Sequence, residues 1–134
     1  MAIRALIVDD EPAVLRLLQA ILEARGYEVT PVSGGRQALE LCLSPTEQFD
    51  VLLTDVTMPD MNGRELVAAL EERQIAIPVL FMTGYDSARD SEDGMDEEVG
   101  DERYATLRKP FTPTALTRAV ETLLAKTHSA GGAG

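Results

Sequence analysis

The chain has 134 residues and a mass of 14.5 kDa, a size that accommodates one domain with one hydrophobic core. Apolar residues make up 45% and charged residues 26% of the chain, and this balance excludes disordered and fibrous proteins. The sequence shows neither a membrane-spanning stretch nor a signal peptide, and a single cysteine, Cys42, excludes an internal disulfide. We therefore expect a folded, cytoplasmic protein.

Negative charge is concentrated in one segment, residues 86–102. The formal net charge of the chain is −11, which argues against electrostatic binding to nucleic acid or to an anionic membrane. Nine acidic residues and one arginine give this acidic segment a charge of −8, which leaves −3 for the rest of the chain. An EF-hand calcium loop does not fit, because placing Gly94 at the sixth position puts Arg89 at the first. A solvated loop and docking to a basic partner remain as interpretations.

The first half of the chain alternates short apolar runs with helical patterns. Residues 3–8 form an apolar run that ends at an acidic pair, and this predicts a buried strand. A helix follows, because apolar residues recur with the spacing of one helical face: Val14, Leu17, Leu18, Ile21 and Leu22. Residues 27–32 predict a second strand, and residues 51–54 predict a third strand that ends at Asp55. The helix between them has an apolar side with Ala38, Leu41 and Cys42.

The second half repeats the alternation. A loop over residues 58–63 leads into a helix on which three apolar residues align, Leu66, Ala69 and Leu70. Residues 78–82 predict a fourth strand before Thr83, and residues 105–108 predict a weaker fifth strand before Lys109. Thr112 and Pro113 have the pattern of an N-cap and a first helical residue, and an apolar helical face follows them.

Five strands that alternate with helices predict an α/β fold, a doubly wound parallel sheet with helices on both faces. Pro31 favours the strand order 2-1-3-4-5, because proline is tolerated mainly in edge strands and the second strand is then an edge. The acidic segment has few apolar residues to bury. We therefore expect the fourth helix, which would lie between the fourth and fifth strands, to be short or irregular. We expect one domain over residues 1–127 and a flexible, glycine-rich tail over residues 128–134.

Side chains that can carry chemistry follow the predicted strands at their carboxyl ends, where open parallel sheets bind ligands. They are three carboxylates, a hydroxyl and an ammonium group: Asp9, Asp10, Asp55, Thr83 and Lys109. Two carboxylates about 4 Å apart repel by roughly 4 kcal/mol at an effective dielectric constant of about 20, so this group predicts a divalent cation. An all-oxygen site of this kind suits Mg²⁺. A carboxylate nucleophile, a cation, a lysine and a hydroxyl are also the groups that phosphoryl transfer uses.

Four motifs, in order along nearly the whole chain, resemble the receiver domain of two-component response regulators, which has a flavodoxin-like fold. They are Val8-Asp9-Asp10-Glu11, Thr54-Asp55-Val56-Thr57-Met58-Pro59, Met82-Thr83-Gly84 and Arg108-Lys109-Pro110-Phe111. The resemblance implies that Asp55 is the phosphorylated aspartate. It implies that Mg²⁺ is held by Asp9, Asp10, Asp55 and the backbone carbonyl of Thr57.

The resemblance also assigns roles around this pocket. Thr83 would be the switch hydroxyl, Lys109 its ion-pair partner, and a cis peptide would precede Pro110. Gly63 would serve the turn before the third helix. The phosphoryl group would come from a phosphohistidine of a histidine kinase or of a histidine phosphotransfer domain, and an unknown downstream protein would read the result. Such a domain promotes its own phosphorylation and dephosphorylation without being an independent turnover enzyme.

Two features depart from the receiver pattern. The position three residues before Lys109, usually aromatic in receivers, is Thr106, and the nearest aromatic residue is Tyr104. We expect Thr106 to fill a strand position, with Tyr104 as an alternative switch residue. The stretch between Thr83 and Lys109 is longer than in typical receivers, and it contains the acidic segment.

Other interpretations of the same residues stay open. The chain could be a constitutive protein-interaction module with a vestigial phosphorylation pocket. A flavin carrier fits less well, because acidic residues stand where a phosphate-binding loop would follow the first strand. Asp10 could instead cap the first helix. The sequence around Thr83 and Lys109 resembles that of receivers attached to sensor histidine kinases. A freestanding regulator and a domain of a hybrid kinase both stay open as interpretations.

Overall fold

The computed structural model describes residues 2–58, 60–84 and 103–133, with side chains described through residue 126. Its elements, in chain order, are β1 (Arg4–Val8), α1 (Pro12–Glu23), β2 (Glu28–Val32), α2 (Gly35–Leu43), β3 (Val51–Asp55), α3 (Gly63–Glu72), β4 (Val79–Thr83), β5 (Tyr104–Arg108) and α4 (Pro113–Ala133). The acidic segment and the helix expected within it lie outside the described residues, so the expectation of a short or irregular helix stays a prediction.

The five strands form one parallel sheet with the order β2-β1-β3-β4-β5. This confirms the predicted α/β class and the predicted strand order. Pro31 lies in β2, an edge strand, where its missing N–H interrupts no ladder between two strands. All five residues of the central strand β3 are buried, as expected for a strand that is covered on both faces.

The hydrophobic core has two layers, because alternate residues of each strand point to opposite faces of the sheet. On one face, Leu6 and Leu52 belong to a cluster that includes apolar residues of α2 and α3. On the other face, Ile7 and Leu53 belong to a cluster that includes residues of α1 and α4. The two layers hold the strands rigidly, so the residues at the strand ends have fixed positions.

The helix ends follow local sequence signals. Helix α1 begins at Pro12 after Glu11 as its N-cap, so the alternative in which Asp10 caps this helix is wrong. Proline is favoured here because the first helical N–H has no partner within the helix. At the start of α4, the Thr112 hydroxyl accepts a hydrogen bond from the Ala115 amide at 3.0 Å, which confirms the predicted N-cap.

The last helix is longer than the sequence predicts. Its backbone is helical through Ala133 and therefore includes residues 128–133, which we placed in a flexible tail. No proline follows Pro113, so no residue lacks the N–H that continues a helical ladder. The predicted domain boundary at residue 127 is not tested by this backbone path.

Packing within the core can be tested with two leucines. Leu53 is fully buried in β3, whereas Leu43, at the end of α2, is 42% exposed. We expect Leu53→Ala to lower the free energy of unfolding by about 3 kcal/mol, because it leaves a cavity between the sheet and two helices. The control Leu43→Ala should lose about 0.5 kcal/mol or less. Urea denaturation followed by circular dichroism measures both, and equal losses would contradict the two-layer core.

Candidate functional site

The parallel strands bring the predicted site residues together at one edge of the sheet. Asp9 directly follows β1, Asp55 ends β3 and Thr83 ends β4. Val8 is paired with Thr54 in the sheet, so Asp9 and Asp55, the next residues along each strand, lie side by side. Lys109 follows β5, and its amide donates a hydrogen bond of 2.7 Å to the carbonyl of Thr83. The strand-end positions are thus sufficient to assemble the site.

The Lys109 ammonium group lies between two of the carboxylates. Its Nζ atom is 2.9 Å from Asp9 Oδ2 and 3.4 Å from Asp55 Oδ2. The other oxygen of each aspartate accepts a backbone hydrogen bond, from the Glu11 amide at 2.9 Å for Asp9 and from the Thr57 amide at 3.1 Å for Asp55. Each of these two carboxylates is therefore held at both oxygens, which fixes its orientation.

The three aspartates form a compact acidic group whose charge is only partly neutralised. Each of Asp9, Asp10 and Asp55 can place one carboxylate oxygen so that all three atoms lie within 4.8 Å of one another. Asp9 is fully buried and Asp55 is 7% exposed, whereas Asp10 is exposed. With all groups ionised, three negative charges face the one positive charge of Lys109. A divalent cation would balance the remaining two charges, and the all-oxygen donor set fits Mg²⁺.

Burial and neighbouring charges shift two pKa values at this site. Burial raises the pKa of Asp55, and the charge of Asp9 adds to this effect. The Thr57 amide and Lys109 act in the opposite direction without cancelling it. For Lys109, burial lowers the pKa, but its hydrogen bond to Asp9 and the charges of Asp9 and Asp55 raise it overall. Lys109 therefore stays protonated at neutral pH.

Gly63 allows α3 to approach the end of β3 closely. A Cβ atom at this position would lie 2.6 Å from the backbone oxygen of Asp55, so any larger residue would displace the site. The Gly63 amide donates to the Val56 carbonyl at 3.0 Å and closes the loop between β3 and α3. Glycine is therefore required here for close approach, which refines the turn role that the receiver resemblance implied. The peptide between Lys109 and Pro110 is cis, as that resemblance also implied.

The loop between β3 and α3 contains two features that we did not predict. Asn62 and Glu65 form a capping box, in which each side chain accepts a hydrogen bond from the other residue's amide. The spacing Asn-x-x-Glu before a helix is a signal that would have predicted it. Asp60 accepts hydrogen bonds from the amides of Gly35 and Arg36 in α2, and no sequence signal links these distant residues.

Tyr104 is anchored away from this site. Its hydroxyl donates a hydrogen bond to a carboxylate oxygen of Glu71 at the end of α3. Its ring packs against Phe81 with the ring centroids 6.0 Å apart. Tyr104 begins β5 and Lys109 follows the end of that strand, so the two residues are five steps along the chain apart, about 16 Å of extended chain. Thr106 lies in β5 opposite Phe81 of β4. Any switch role of either residue stays a prediction.

The sequence is similar to that of known proteins over most of its length. The family model for the response regulator receiver domain matches residues 5–121. The alkaline phosphatase synthesis transcriptional regulatory protein PhoP of Bacillus subtilis is 34% identical over 127 residues, 95% of this chain and 50% of that protein. The transcriptional regulatory protein PcoR of Escherichia coli is 37% identical over 126 residues, 94% of this chain and 53% of that protein. This chain spans about half the length of the curated relatives it matches.

Solved structures show the same fold. A CheY-like receiver domain protein from Methanospirillum hungatei superimposes with a TM-score of 0.80 and 29% identity, covering 96% of this chain and 98% of that one. The chemotaxis protein CheY4 of Vibrio cholerae gives a TM-score of 0.76 and 31% identity, covering 92% of this chain and 99% of that one.

Within the part of the chain that the structure describes, no helix is both long and apolar enough to span a membrane.

The raised pKa of Asp55 predicts a pH-dependent stability. Its carboxyl group binds a proton more tightly in the folded than in the unfolded chain, so the free energy of unfolding falls as pH rises from 3.8 through the raised value. Asp55→Asn removes the buried charge, and we expect this variant to be more stable than the wild type at pH 7 without divalent cations. The raised pKa of Lys109 contributes a constant stabilisation throughout this window, because that contribution is lost only as the pH rises above 10.5.

Urea denaturation in a chelating buffer measures this difference, with circular dichroism as the signal because the chain has no tryptophan. The advantage of Asp55→Asn should shrink as the pH is lowered toward 3.8, where the wild-type carboxyl group takes up its proton. A variant less stable than the wild type at pH 7 would show that the attraction of Lys109 outweighs burial.

Proposed function

Because this chain belongs to the response regulator receiver domain family, we propose that it acts as a phosphoacceptor switch in which Asp55 takes a phosphoryl group from a phosphohistidine donor. The observation that supports this proposal most strongly is the position of the Asp55 carboxylate. It lies at the open edge of the sheet, next to two other carboxylates and 3.4 Å from an ammonium group. Its side chain is 10% exposed, so an incoming phosphoryl group can reach it.

The proposed reaction is a transfer between two side chains. An Asp55 carboxylate oxygen attacks phosphorus, and the bond between phosphorus and the donor's imidazole nitrogen breaks. The donor ring, which carries a proton on its other nitrogen, leaves as a neutral histidine. Asp9, Asp10, Asp55 and the Thr57 carbonyl would hold Mg²⁺, which supplies positive charge to the phosphoryl oxygens when bound. The Lys109 ammonium group adds a second positive charge at the same oxygens, as a point charge that needs no fixed geometry.

The new charge would change the contacts of Lys109 and Thr83. Phosphorylation adds about −1.5 to −2 charges and strong acceptor oxygens. These oxygens compete with Asp9 for Lys109, and they offer an acceptor to the Thr83 hydroxyl. Thr83 is 1% exposed at the end of β4, so a movement of its side chain changes the packing around it. The modification would thus shift the balance between two preexisting conformations of the domain.

The proposed partners follow from this chemistry. A histidine kinase or a histidine phosphotransfer domain would supply the phosphoryl group, and a downstream protein would recognise the switched state. The two relatives described above are named as transcriptional regulators, and this chain covers about half of each. The absence of nucleic-acid binding, which the charge predicted, therefore concerns this domain alone and stays a prediction. Cytoplasmic location stays a prediction as well.

Phosphorylation of the purified chain tests the proposal directly. With Mg²⁺ and the small phosphodonor acetyl phosphate, we expect the intact mass of the wild type to rise by one phosphoryl group. Asp55→Asn should show no such increase, because an amide oxygen is a poor nucleophile. Asp50→Asn is the matched control, because Asp50 directly precedes the first residue of β3 and so lies at the end of the strand away from the site. This variant should be phosphorylated as the wild type is.

Two outcomes would count against the proposal. Equal labelling of Asp55→Asn and the wild type would show that another residue is the acceptor. An unlabelled wild type that also fails to bind Mg²⁺ would favour the constitutive interaction module with a vestigial pocket.

A further inference from the structure

The carboxylate of Asp60 connects two separate parts of the fold. Its Oδ1 atom accepts hydrogen bonds from the amides of Met61 at 2.8 Å and Gly35 at 3.3 Å. Its Oδ2 atom accepts one from the amide of Arg36 at 3.3 Å. Gly35 and Arg36 are the first two residues of α2, whereas Asp60 and Met61 lie in the loop between β3 and α3. We call this set of contacts the Asp60 clamp.

Helix α2 depends on this distant carboxylate because it has no cap of its own. Its N-cap residue is Gly34, which offers no side-chain acceptor to the free amides of the first turn. A carboxylate at this position satisfies two of those amides, and its charge interacts favourably with the helix dipole. Burial raises the pKa of Asp60, but the backbone hydrogen bonds together lower it below its ordinary value, so the carboxylate is ionised at neutral pH.

The two glycines before α2 make the close approach possible. A Cβ atom at Gly34 would lie 2.8 Å from Asp60 Oδ2, and one at Gly35 would lie 2.4 Å from the backbone oxygen of Met61. Side chains at these positions would therefore push the loop away from α2. The absence of side chains at Gly34 and Gly35 therefore lets the loop that carries Asp60 pack directly against the start of α2.

The same loop carries the backbone that contacts the phosphoacceptor. The Thr57 amide donates a hydrogen bond of 3.1 Å to Asp55 Oδ1, and the Gly63 amide closes the loop on the carbonyl of Val56 at 3.0 Å. Asp60 lies between these two contacts in sequence and joins the loop to the start of α2. A loop released from α2 would be free to move where Thr57 meets Asp55.

We propose that Asp60 is a positioning residue for the carboxylate site: by fixing the loop between β3 and α3 against α2, it fixes the Thr57 backbone that orients Asp55. This inference rests on the proposed function, in which Asp55 accepts the phosphoryl group and the Thr57 carbonyl contributes to the Mg²⁺ site. Asp60 itself touches neither Asp55 nor the phosphoryl group in this scheme. Its effect passes through the loop.

Three variants test the clamp. Asp60→Ala removes all three hydrogen bonds. Asp60→Asn keeps one acceptor oxygen, which at the Oδ1 position retains the bonds from Gly35 and Met61 and loses the bond from Arg36. Gly35→Ala leaves the charge unchanged and raises the helix propensity of α2, but its methyl group would displace the loop. Glu40→Gln is the control, because it removes one negative charge from an exposed position on the same helix.

Amide hydrogen exchange without Mg²⁺ is the first measurement, because it reads the loop independently of any phosphorylation. We expect Asp60→Ala and Gly35→Ala to accelerate exchange of the Thr57 amide while amides in β3 stay protected. Glu40→Gln should leave Thr57 unchanged. If the Thr57 amide exchanges at the wild-type rate in both Asp60→Ala and Gly35→Ala, the proposal is overturned, even if the first turn of α2 exchanges faster.

Calorimetric titration with Mg²⁺ and the rate of phosphorylation by acetyl phosphate complete the test. For Asp60→Ala we expect the Mg²⁺ dissociation constant to rise about 10-fold, the usual effect of removing a group that orients metal ligands. Asp60→Asn should recover part of this loss. If the wild type is phosphorylated normally and Asp60→Ala has the same Mg²⁺ affinity and the same phosphorylation rate as the wild type, this inference alone is overturned. A wild type that neither binds Mg²⁺ nor becomes phosphorylated would overturn the proposed function and this inference with it.

Discussion

The Lys109 ammonium group lies between Asp9 and Asp55, and it neutralises only one of three negative charges at the carboxyl edge of the sheet. Asp9 is fully buried, so it cannot rely on water to screen its charge. Burial raises the pKa of Asp55, and the excess negative charge of the three aspartates favours binding of a divalent cation. A cationic group, whether metal or lysine, is then positioned where a phosphoryl group would need it. The same excess of negative charge thus underlies both the expected affinity for a cation and the proposed chemistry.

The rest of the fold keeps these groups in place. Two apolar layers fix the strands, and the strand ends fix Asp9, Asp55 and Thr83. The loop after β3 is held at three places, by the Thr57 amide, by the Gly63 amide and by the Asp60 clamp on α2. The buried carboxylates that the proposed function needs lower the stability of the fold, because they repel one another. The surrounding packing holds them together despite this repulsion.

Much of this arrangement was predictable because it depends on periodicity. Short apolar runs between helical patterns predicted the strands, and Pro31 predicted that the second strand lies at the edge of the sheet. In a parallel sheet, the residues that follow each strand must meet at one edge, so the five site residues could be placed without coordinates. The Asp60 clamp was not predictable in this way, because it joins residues 25 positions apart through loop geometry. The contact between Tyr104 and Glu71 was missed for the same reason, since it depends on which strand residue faces the end of α3.

The most direct test of the account is a crystal structure of the chain with Mg²⁺ and fluoroberyllate, which mimics a phosphoryl group on a carboxylate. We predict beryllium bound to an Asp55 oxygen, with the Lys109 ammonium group and the Thr83 hydroxyl on its fluorides. We also predict Mg²⁺ among Asp9, Asp10, Asp55 and the Thr57 carbonyl. Fluoroberyllate bound to another residue, or a pocket in which Lys109 keeps its contacts with Asp9 and Asp55 and neither ligand binds, would contradict the account.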